Sequence, residues 1–212
     1  LGVPPRFLCD AAIPLPLLHF LAQQFDVQHD ELVMGGRYHN LKDLAALPMP
    51  PGLTNAEYPP IIPAENKTAA ATDRLLDLVL QQDLLLHLPY QRYDYVLRFF
   101  SEAALDPDVA EIYVTLYRIA SGSQIAQALI SAARNGKKVT VFVELKARFD
   151  EANNIRWAKK MKDAGVKLVY SIPGMKVHAK TALVKRNRGY QWDYCGLIAT
   201  GNFNESTARF YT

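Results

Sequence analysis

The chain has 212 residues, of which 50% are hydrophobic and 21% are charged, the composition of an ordinary globular protein. These values exclude a disordered tail, a collagen and a coiled coil. The sequence has no run of about 18 consecutive apolar residues, so it predicts no membrane-spanning helix. The net charge is only +3, but residues 134–188 hold 15 Lys and Arg against four Asp and Glu, which predicts a region that binds anions such as phosphates.

The first part of the chain, residues 1–47, has the pattern of the end of an α+β unit. It predicts a strand ending at Cys9, a helix that follows Pro14 and Pro16 and carries Leu17, Leu18, Leu21 and Phe25, a turn at Gly35 and Gly36, and a short helix capped by Asn40 that runs to Leu47. Residues 48–63 then hold six prolines, a density that excludes helices and sheet interiors. We therefore predict a proline-rich linker over residues 48–80, with a domain boundary in it.

From about residue 81 onward, helical and strand patterns alternate. The predicted elements are a helix that ends before Pro107, a strand over 111–119, a helix from Ser123 to Gly136, a strand over 138–145, a helix over 150–164, and strands over 166–171, 177–184 and 196–200. Strands that alternate with helices of about a dozen residues indicate βαβ units. We therefore predict an α/β domain over residues 81–212, with a mostly parallel sheet flanked by helices and an antiparallel hairpin at its end.

The start of the chain and its cysteines suggest a piece of a cytoplasmic protein. The chain begins with Leu1 rather than Met, and no segment with the pattern of a secretion signal leads it. Cys9 and Cys195 do not make a disulfide framework, so a reducing compartment is expected. We predict a cytoplasmic location, with association to a membrane left open.

A histidine and a lysine dominate the chemistry of the strand predicted over 177–184. His178 and Lys180 are two residues apart, so both side chains would project from the same face of that strand. Lys180 could then neutralise an anion that His178 contacts. A single histidine on a strand is more often a packed residue, but a lysine in an apolar strand calls for a partner.

A second motif follows the last predicted strand. Gly201 permits a close approach of the backbone to a ligand. Asn204 could come beside His178 if the two strands are neighbours. Gly and Asn also favour ordinary turns, so that alternative stays open at this point.

These motifs resemble two related families. His178, Lys180, Gly201 and Asn204 form a His-x-Lys and Gly-x-x-Asn pair that resembles the phospholipase D superfamily, although Lys185 stands where that family has an aspartate. Longer segments look like polyphosphate kinase, namely residues 35–40, 85–90, 136–141, 143–151, 164–166, 173–180 and 200–205. The missing aspartate argues against an ordinary phosphodiesterase and favours the second family.

The resemblance to polyphosphate kinase implies a role for each matching residue. It implies that His178 becomes phosphorylated while the γ-phosphate of ATP is transferred reversibly to inorganic polyphosphate. It also implies that Arg118 and Arg148 lie at a phosphate–magnesium site and that Tyr211 contacts ATP. Arginine has no lone pair for a metal, so we expect phosphate or water between Mg²⁺ and these side chains. Lys180 and Asn204 would stabilise the negative charge that gathers during transfer.

The resemblance also implies what kind of piece this chain is. It matches the end of the head domain and most of the first phospholipase D-like catalytic domain, with ATP and polyphosphate as partners and no nucleic acid. The full-length enzyme would be a homo-oligomer, and the fragment alone would be inactive. Two alternatives stay open, a phospholipase D-like phosphodiesterase or nuclease and a non-catalytic module that binds polyanions. An ion pair of Arg148 with Asp150 or Glu151 and simple packing of Tyr211 are the competing interpretations of those residues.

Overall fold

The computed structural model describes residues 6–38, 40–48, 50–53, 58–144, 150–171 and 177–209. The chain divides into two units, Leu1–Pro59 and Pro60–Thr212, and the division falls in the proline-rich stretch. Two of the predicted site residues, Arg148 and Tyr211, lie outside the described residues. In the described part of the chain, no helix combines the length and the apolar character needed to cross a lipid bilayer.

The first unit contains a small parallel sheet and one longer helix. Its elements are β1 (Phe7–Asp10), α1 (Leu15–Phe25) and β2 (Leu32–Gly35), with 3-10 helices at His29–Glu31 and Leu41–Ala46. Strands β1 and β2 pair in parallel from Phe7 with Leu32 to Asp10 with Gly35. The predicted strand and helix are confirmed, but the side chain of Asn40 does not cap the short helix. Its amide instead donates to Asp43 at 2.8 Å.

The second unit alternates helices and strands as the sequence predicts. Its elements are α2 (Lys67–Ala70), α3 (Leu75–Val79), α4 (Asp94–Leu105), β3 (Val109–Leu116), α5 (Gln124–Arg134), β4 (Lys138–Val143), α6 (Glu151–Asp163), β5 (Lys167–Tyr170), β6 (Thr181–Asn187) and β7 (Trp192–Ile198). Helices α2 and α3 occupy part of the stretch predicted as linker. Leu75 and Leu76 are buried in the hydrophobic core of this unit, so this part of the predicted linker packs with the second unit.

A five-stranded sheet with the order β5-β4-β3-β6-β7 forms the centre of this unit. Strands β3, β4 and β5 are parallel, and β6 is antiparallel to both of its neighbours. Four strands therefore run in one direction and only β6 runs in the other, which confirms the α/β class and the hairpin. The carboxyl ends of β3, β4, β5 and β7 and the start of β6 consequently meet at one edge, called here the upper edge of the sheet.

One face of the sheet is covered by helices. Ile112, Val114 and Leu116 alternate along β3 and are buried against apolar side chains of the flanking helices, which include Phe99, Phe100, Ile125, Leu129, Trp157 and Met161. These side chains recur at helical spacing in α4, α5 and α6, so one stripe of each helix packs on the sheet. The sheet and its helices together form the hydrophobic core of this unit.

A buried ion-pair network lies at the opposite edge, called the lower edge. Arg186, near the end of β6, is 1% exposed and donates to Asp77 at 2.7 Å. A second guanidinium nitrogen lies 3.0 Å from Asp106. Asp106 also pairs with Arg74 at 2.8 Å. Although Arg186 belongs to the positively charged segment of the sequence, it is neutralised inside the protein.

Candidate active site

The four described residues that the sequence predicts as functional lie at the upper edge of the sheet, namely Arg118, His178, Lys180 and Asn204. Tyr117 and Arg118 follow β3, His178 and Lys180 precede β6, and Asn204 follows β7. The pairing of β3 with β6 and of β6 with β7 brings these three loops together. Chain segments more than 80 residues apart in sequence therefore meet here, as the hydrogen bond between Asn204 and Arg118 shows.

The segment before β6 is not a strand, contrary to the prediction over 177–184. Strand β6 begins at Thr181, and its pairing with β3 ends at Val114 with Ala182. Beyond that pair, the hydroxyl of Thr115 donates to the carbonyl of Ala179 at 2.6 Å and accepts from the amide of Thr181 at 3.0 Å. The side chain of Thr115 therefore replaces the backbone hydrogen bonds that would continue the pairing of β3 with β6. The segment that carries His178 consequently leaves the sheet.

His178 and Lys180 consequently do not share a strand face, but both contact the same aromatic ring. The imidazole of His178 is exposed and meets the ring of Tyr117 edge-on, with centroids 5.2 Å apart. The amine of Lys180 lies 5.6 Å from the centre of the Tyr117 ring and donates to the carbonyl of His178 at 2.5 Å. Lys180 is only 6% exposed, and its burial lowers the pKa of the ammonium group.

Asn204 fixes the main chain beside the same ring. Its side-chain oxygen accepts from the amides of Ser206 at 2.9 Å and Thr207 at 3.1 Å, and its amide nitrogen donates to the carbonyl of Arg118 at 3.3 Å. Asn204 is buried, so these bonds hold the turn after β7 against the loop after β3. The alternative interpretation, in which Asn204 only stabilises a turn, accounts for part of this role, because two of its three hydrogen bonds lie within the turn.

Arg118 presents a half-exposed guanidinium group at this edge. Its Nε lies 3.4 Å from a carboxylate oxygen of Asp150, just before α6. Sequence reasoning considered Asp150 as a partner of Arg148, which lies outside the described residues, and among the described residues Asp150 pairs with Arg118. A guanidinium group binds phosphate oxygens in bidentate fashion, and a weak, partly exposed ion pair can exchange for such a ligand.

The described residues do not themselves form a metal site. They contain no group of three or more His, Cys, Asp and Glu side chains that could hold a metal ion. Arg118 has no lone pair to offer, and Asp150 is already paired with it. Mg²⁺ commonly binds through one or two carboxylates together with substrate phosphates, so an ion at this edge would depend on the phosphates of a substrate.

Sequence reasoning missed Asn154, which organises the loop of Tyr117 and Arg118. Asn154 lies on α6, is 0% exposed, and donates to the carbonyls of Tyr117 at 2.9 Å and Glu144 at 3.0 Å. Its side-chain oxygen accepts from the amide of Ile119 at 3.2 Å. The signal was present, since Asn154 interrupts the apolar stripe that continues with Trp157 and Met161.

Comparisons with known proteins identify the family of this chain. The family model described as polyphosphate kinase C-terminal domain 1 matches residues 74–212. The chain belongs to the polyphosphate kinase family. A protein named polyphosphate kinase from Vibrio vulnificus is 41% identical over 214 residues, which cover 100% of this chain and 30% of that protein. The polyphosphate kinase of Escherichia coli K12 is 41% identical over 99% of this chain and 31% of its own length.

A solved polyphosphate kinase structure confirms the fold. The crystal structure of the enzyme from Porphyromonas gingivalis superposes with a TM-score of 0.81 at 44% identity, over 100% of this chain and 32% of that one. The resemblance drawn from the motifs is thereby confirmed at the level of the polyphosphate kinase family. The chain spans about 30% of the length of the curated relatives that it matches.

Proposed function

We propose that the full-length protein containing this chain is an ATP–polyphosphate phosphotransferase that works through a phosphohistidine on His178. The observation that carries the proposal is an exposed imidazole at the upper edge, beside the buried ammonium of Lys180, in a chain of the polyphosphate kinase family. A neutral imidazole is a good nucleophile near neutral pH. No described side chain forms an ion pair with Lys180, so its charge is free to attract an anion.

The transfer would take place in two balanced steps. A lone pair of His178 attacks the γ-phosphorus of ATP, the bond from that phosphorus to the β,γ-bridging oxygen breaks, and ADP leaves with the electron pair. A terminal oxygen of polyphosphate then attacks the same phosphorus, the P–N bond breaks, and His178 is restored. The phosphoramidate keeps the phosphoryl group reactive, so each step can run in reverse.

The neighbouring residues would bind and neutralise the phosphoryl group. Lys180 supplies a positive charge beside the nucleophile, and Arg118 exchanges Asp150 for phosphate oxygens. Asn204 has one amide proton beyond its bond to Arg118 and could donate it to the same group. Mg²⁺ would arrive bound to the phosphates of ATP. The family resemblance adds Arg148 to the phosphate site and Tyr211 to the nucleotide site, both as proposals.

The chain would depend on the rest of the protein for activity. We propose that residues 1–47 end a head domain, that the catalytic domain is incomplete here, and that the full-length protein is a homo-oligomer. The chain spans about 30% of the length of its relatives, and we propose that further parts of the active site lie in the remainder. The isolated 212 residues should therefore transfer no phosphate, and measurable transfer by them would contradict this dependence.

The test of the function uses the full-length protein with ATP labelled at the γ-phosphate. We expect transfer of label to polyphosphate and a transient protein adduct that is labile in acid and stable in base. Bis(4-nitrophenyl) phosphate, a simple diester, should stay intact without ATP. Hydrolysis of that diester without any adduct would favour a phosphodiesterase, and binding of polyphosphate without transfer would favour a binding module.

The fall in the rate of the first step at high pH should report the loss of the positive charge of Lys180. Burial lowers the pKa of its ammonium group below the ordinary value of 10.5, so the charge is lost at a lower pH than in an exposed lysine. We expect kcat/KM for ATP to fall as the pH rises, with a midpoint below 10.5. Lys180→Arg should move this fall to higher pH, because a guanidinium group stays charged.

The matched control for that profile is Lys159→Arg, which changes an exposed lysine of α6. It should leave both the midpoint and the maximum of the profile unchanged. If the pH at which kcat/KM falls is the same in Lys180→Arg as in the wild type, the fall is caused by the titration of another group.

A further inference from the structure

We infer that Thr115 is a positioning residue that sets where the His178 imidazole stands. The inference rests on the proposed function, because it deepens the account of that same site. Thr115 is the last but one residue of β3, and its side chain is partly buried on the sheet face that the helices leave open. It is not expected to touch ATP or polyphosphate.

The hydroxyl of Thr115 determines how the chain leaves β6. It holds the carbonyl of Ala179 and the amide of Thr181, the two backbone groups on either side of Lys180. The carbonyl of Lys180 in turn accepts from the amide of Ala199 at 2.9 Å. Three bonds therefore fix residues 179–181 between β3 and the end of β7.

The imidazole is tied to this fixed segment from two sides. His178 directly precedes Ala179, and its carbonyl accepts from the amine of Lys180. Its ring rests against Tyr117, which is two residues after Thr115 at the end of the same strand. The position of the ring thus depends on the distance between the end of β3 and the Ala179 carbonyl, which the Thr115 hydroxyl sets.

A threonine suits this task better than its isosteres. A hydroxyl donates one proton and accepts another, so one atom can hold a carbonyl and an amide together. The branched Cβ restricts the χ1 angle and keeps that oxygen in place. Valine has the same shape without either bond, and serine keeps both bonds with a less restricted rotamer.

The effect on transfer should be large compared with the effect on folding. The bonds of Thr115 lie at the end of a strand where solvent can replace them, so the fold should survive their loss. In-line attack by an imidazole depends on orientation, and a displacement of about 1 Å can lower a rate by about 100-fold. The ATP-binding groups proposed above do not include Thr115, so KM should change little.

The experiment compares Thr115→Val, Thr115→Ser and a matched control in the full-length protein. Thr140→Val makes the same substitution on the same sheet face, in the neighbouring strand β4. We expect Thr115→Val to lower the rate of His178 phosphorylation by about 10- to 100-fold, with KM for ATP unchanged within about threefold. Thr115→Ser should recover most of the rate, and Thr140→Val should match the wild type.

A second readout does not depend on catalysis. Hydrogen exchange of a peptide containing Thr181 should be faster in Thr115→Val than in the wild type, and normal in Thr115→Ser and Thr140→Val. Unchanged exchange or an unchanged phosphorylation rate in Thr115→Val would overturn the inference, as would an equal loss of rate in Thr140→Val. If the wild type forms no phosphohistidine, the proposed function fails, while faster exchange in Thr115→Val still supports Thr115 as the residue that holds this segment.

Discussion

Replacement of His178 by alanine should abolish the acid-labile protein adduct and reduce transfer from ATP to polyphosphate by at least about 1,000-fold. The imidazole forms the covalent bond to phosphorus in the first step of the proposed mechanism, and no other described residue of the three loops at the upper edge carries an imidazole. The amine of Lys180 donates to the carbonyl of His178. The measurement is incorporation of label from γ-labelled ATP into the full-length protein, followed by transfer to polyphosphate.

The control for this variant is another exposed histidine of the same unit. His87 packs edge-on against Tyr90, with ring centroids 5.1 Å apart, and does not belong to the three loops that carry Arg118, His178 and Asn204. His87→Ala should retain both the adduct and the transfer activity. An adduct of normal yield in His178→Ala would place the phosphorylated residue elsewhere and would end the proposed mechanism.

The general fold could be predicted because local patterns and layer architecture agree. The apolar stripes of α4 and α5 and the alternation in β3 place each element to within a few residues. The start of β6 could not be predicted from its own pattern, because the side chain that ends its pairing belongs to Thr115, far away in sequence. The helices inside the predicted linker were hidden for a similar reason, since the burial of Leu75 depends on a core built by later residues.

The site was predictable where a residue type itself carries the chemistry. His178, Lys180 and Arg118 were found because imidazole, ammonium and guanidinium groups suit phosphoryl transfer. Thr115 and Asn154 act through backbone carbonyls and amides, and a sequence does not show which backbone groups such side chains will bind. The same limit applies to the count of basic residues over 134–188, from which a region that binds anions is predicted. A basic residue can face either a ligand or a carboxylate inside the protein, and the count does not distinguish the two.

Lys185 and Arg186 show that limit most clearly. Both belong to the positively charged segment, but Lys185 pairs with Glu111 at 3.0 Å, and Arg186 pairs with the buried Asp106 and the partly exposed Asp77 at the lower edge. Tyr113 and Lys185 together lower the pKa of Glu111 to about 2, so this ion pair persists in moderately acidic solution. Lys185 stands where the phospholipase D superfamily has an aspartate, and here that position stabilises the sheet.

Replacement of Arg186 by methionine should destabilise the second unit more than any surface substitution. The change leaves Asp77 and the buried Asp106 without one of their cations, and loss of one partner of a buried ion pair costs about 3–5 kcal/mol. The hydrogen bond from Arg186 is also the largest cause of the lowered pKa of Asp77. This contribution should therefore be present above the ordinary carboxyl pKa and should be lost as the pH falls below it.

Native-state hydrogen exchange in the full-length protein measures this cost where it arises. The free energy of opening for amides of β3 and β6 should fall by about 3–5 kcal/mol in Arg186→Met at neutral pH. Arg92→Met is the matched control, because Arg92 is half exposed and pairs with Asp94 at 2.6 Å, and it should cost less than about 1 kcal/mol. Equal losses in the two variants would show that the network at the lower edge is no stronger than a surface ion pair, and that the unit is stabilised by its apolar core alone.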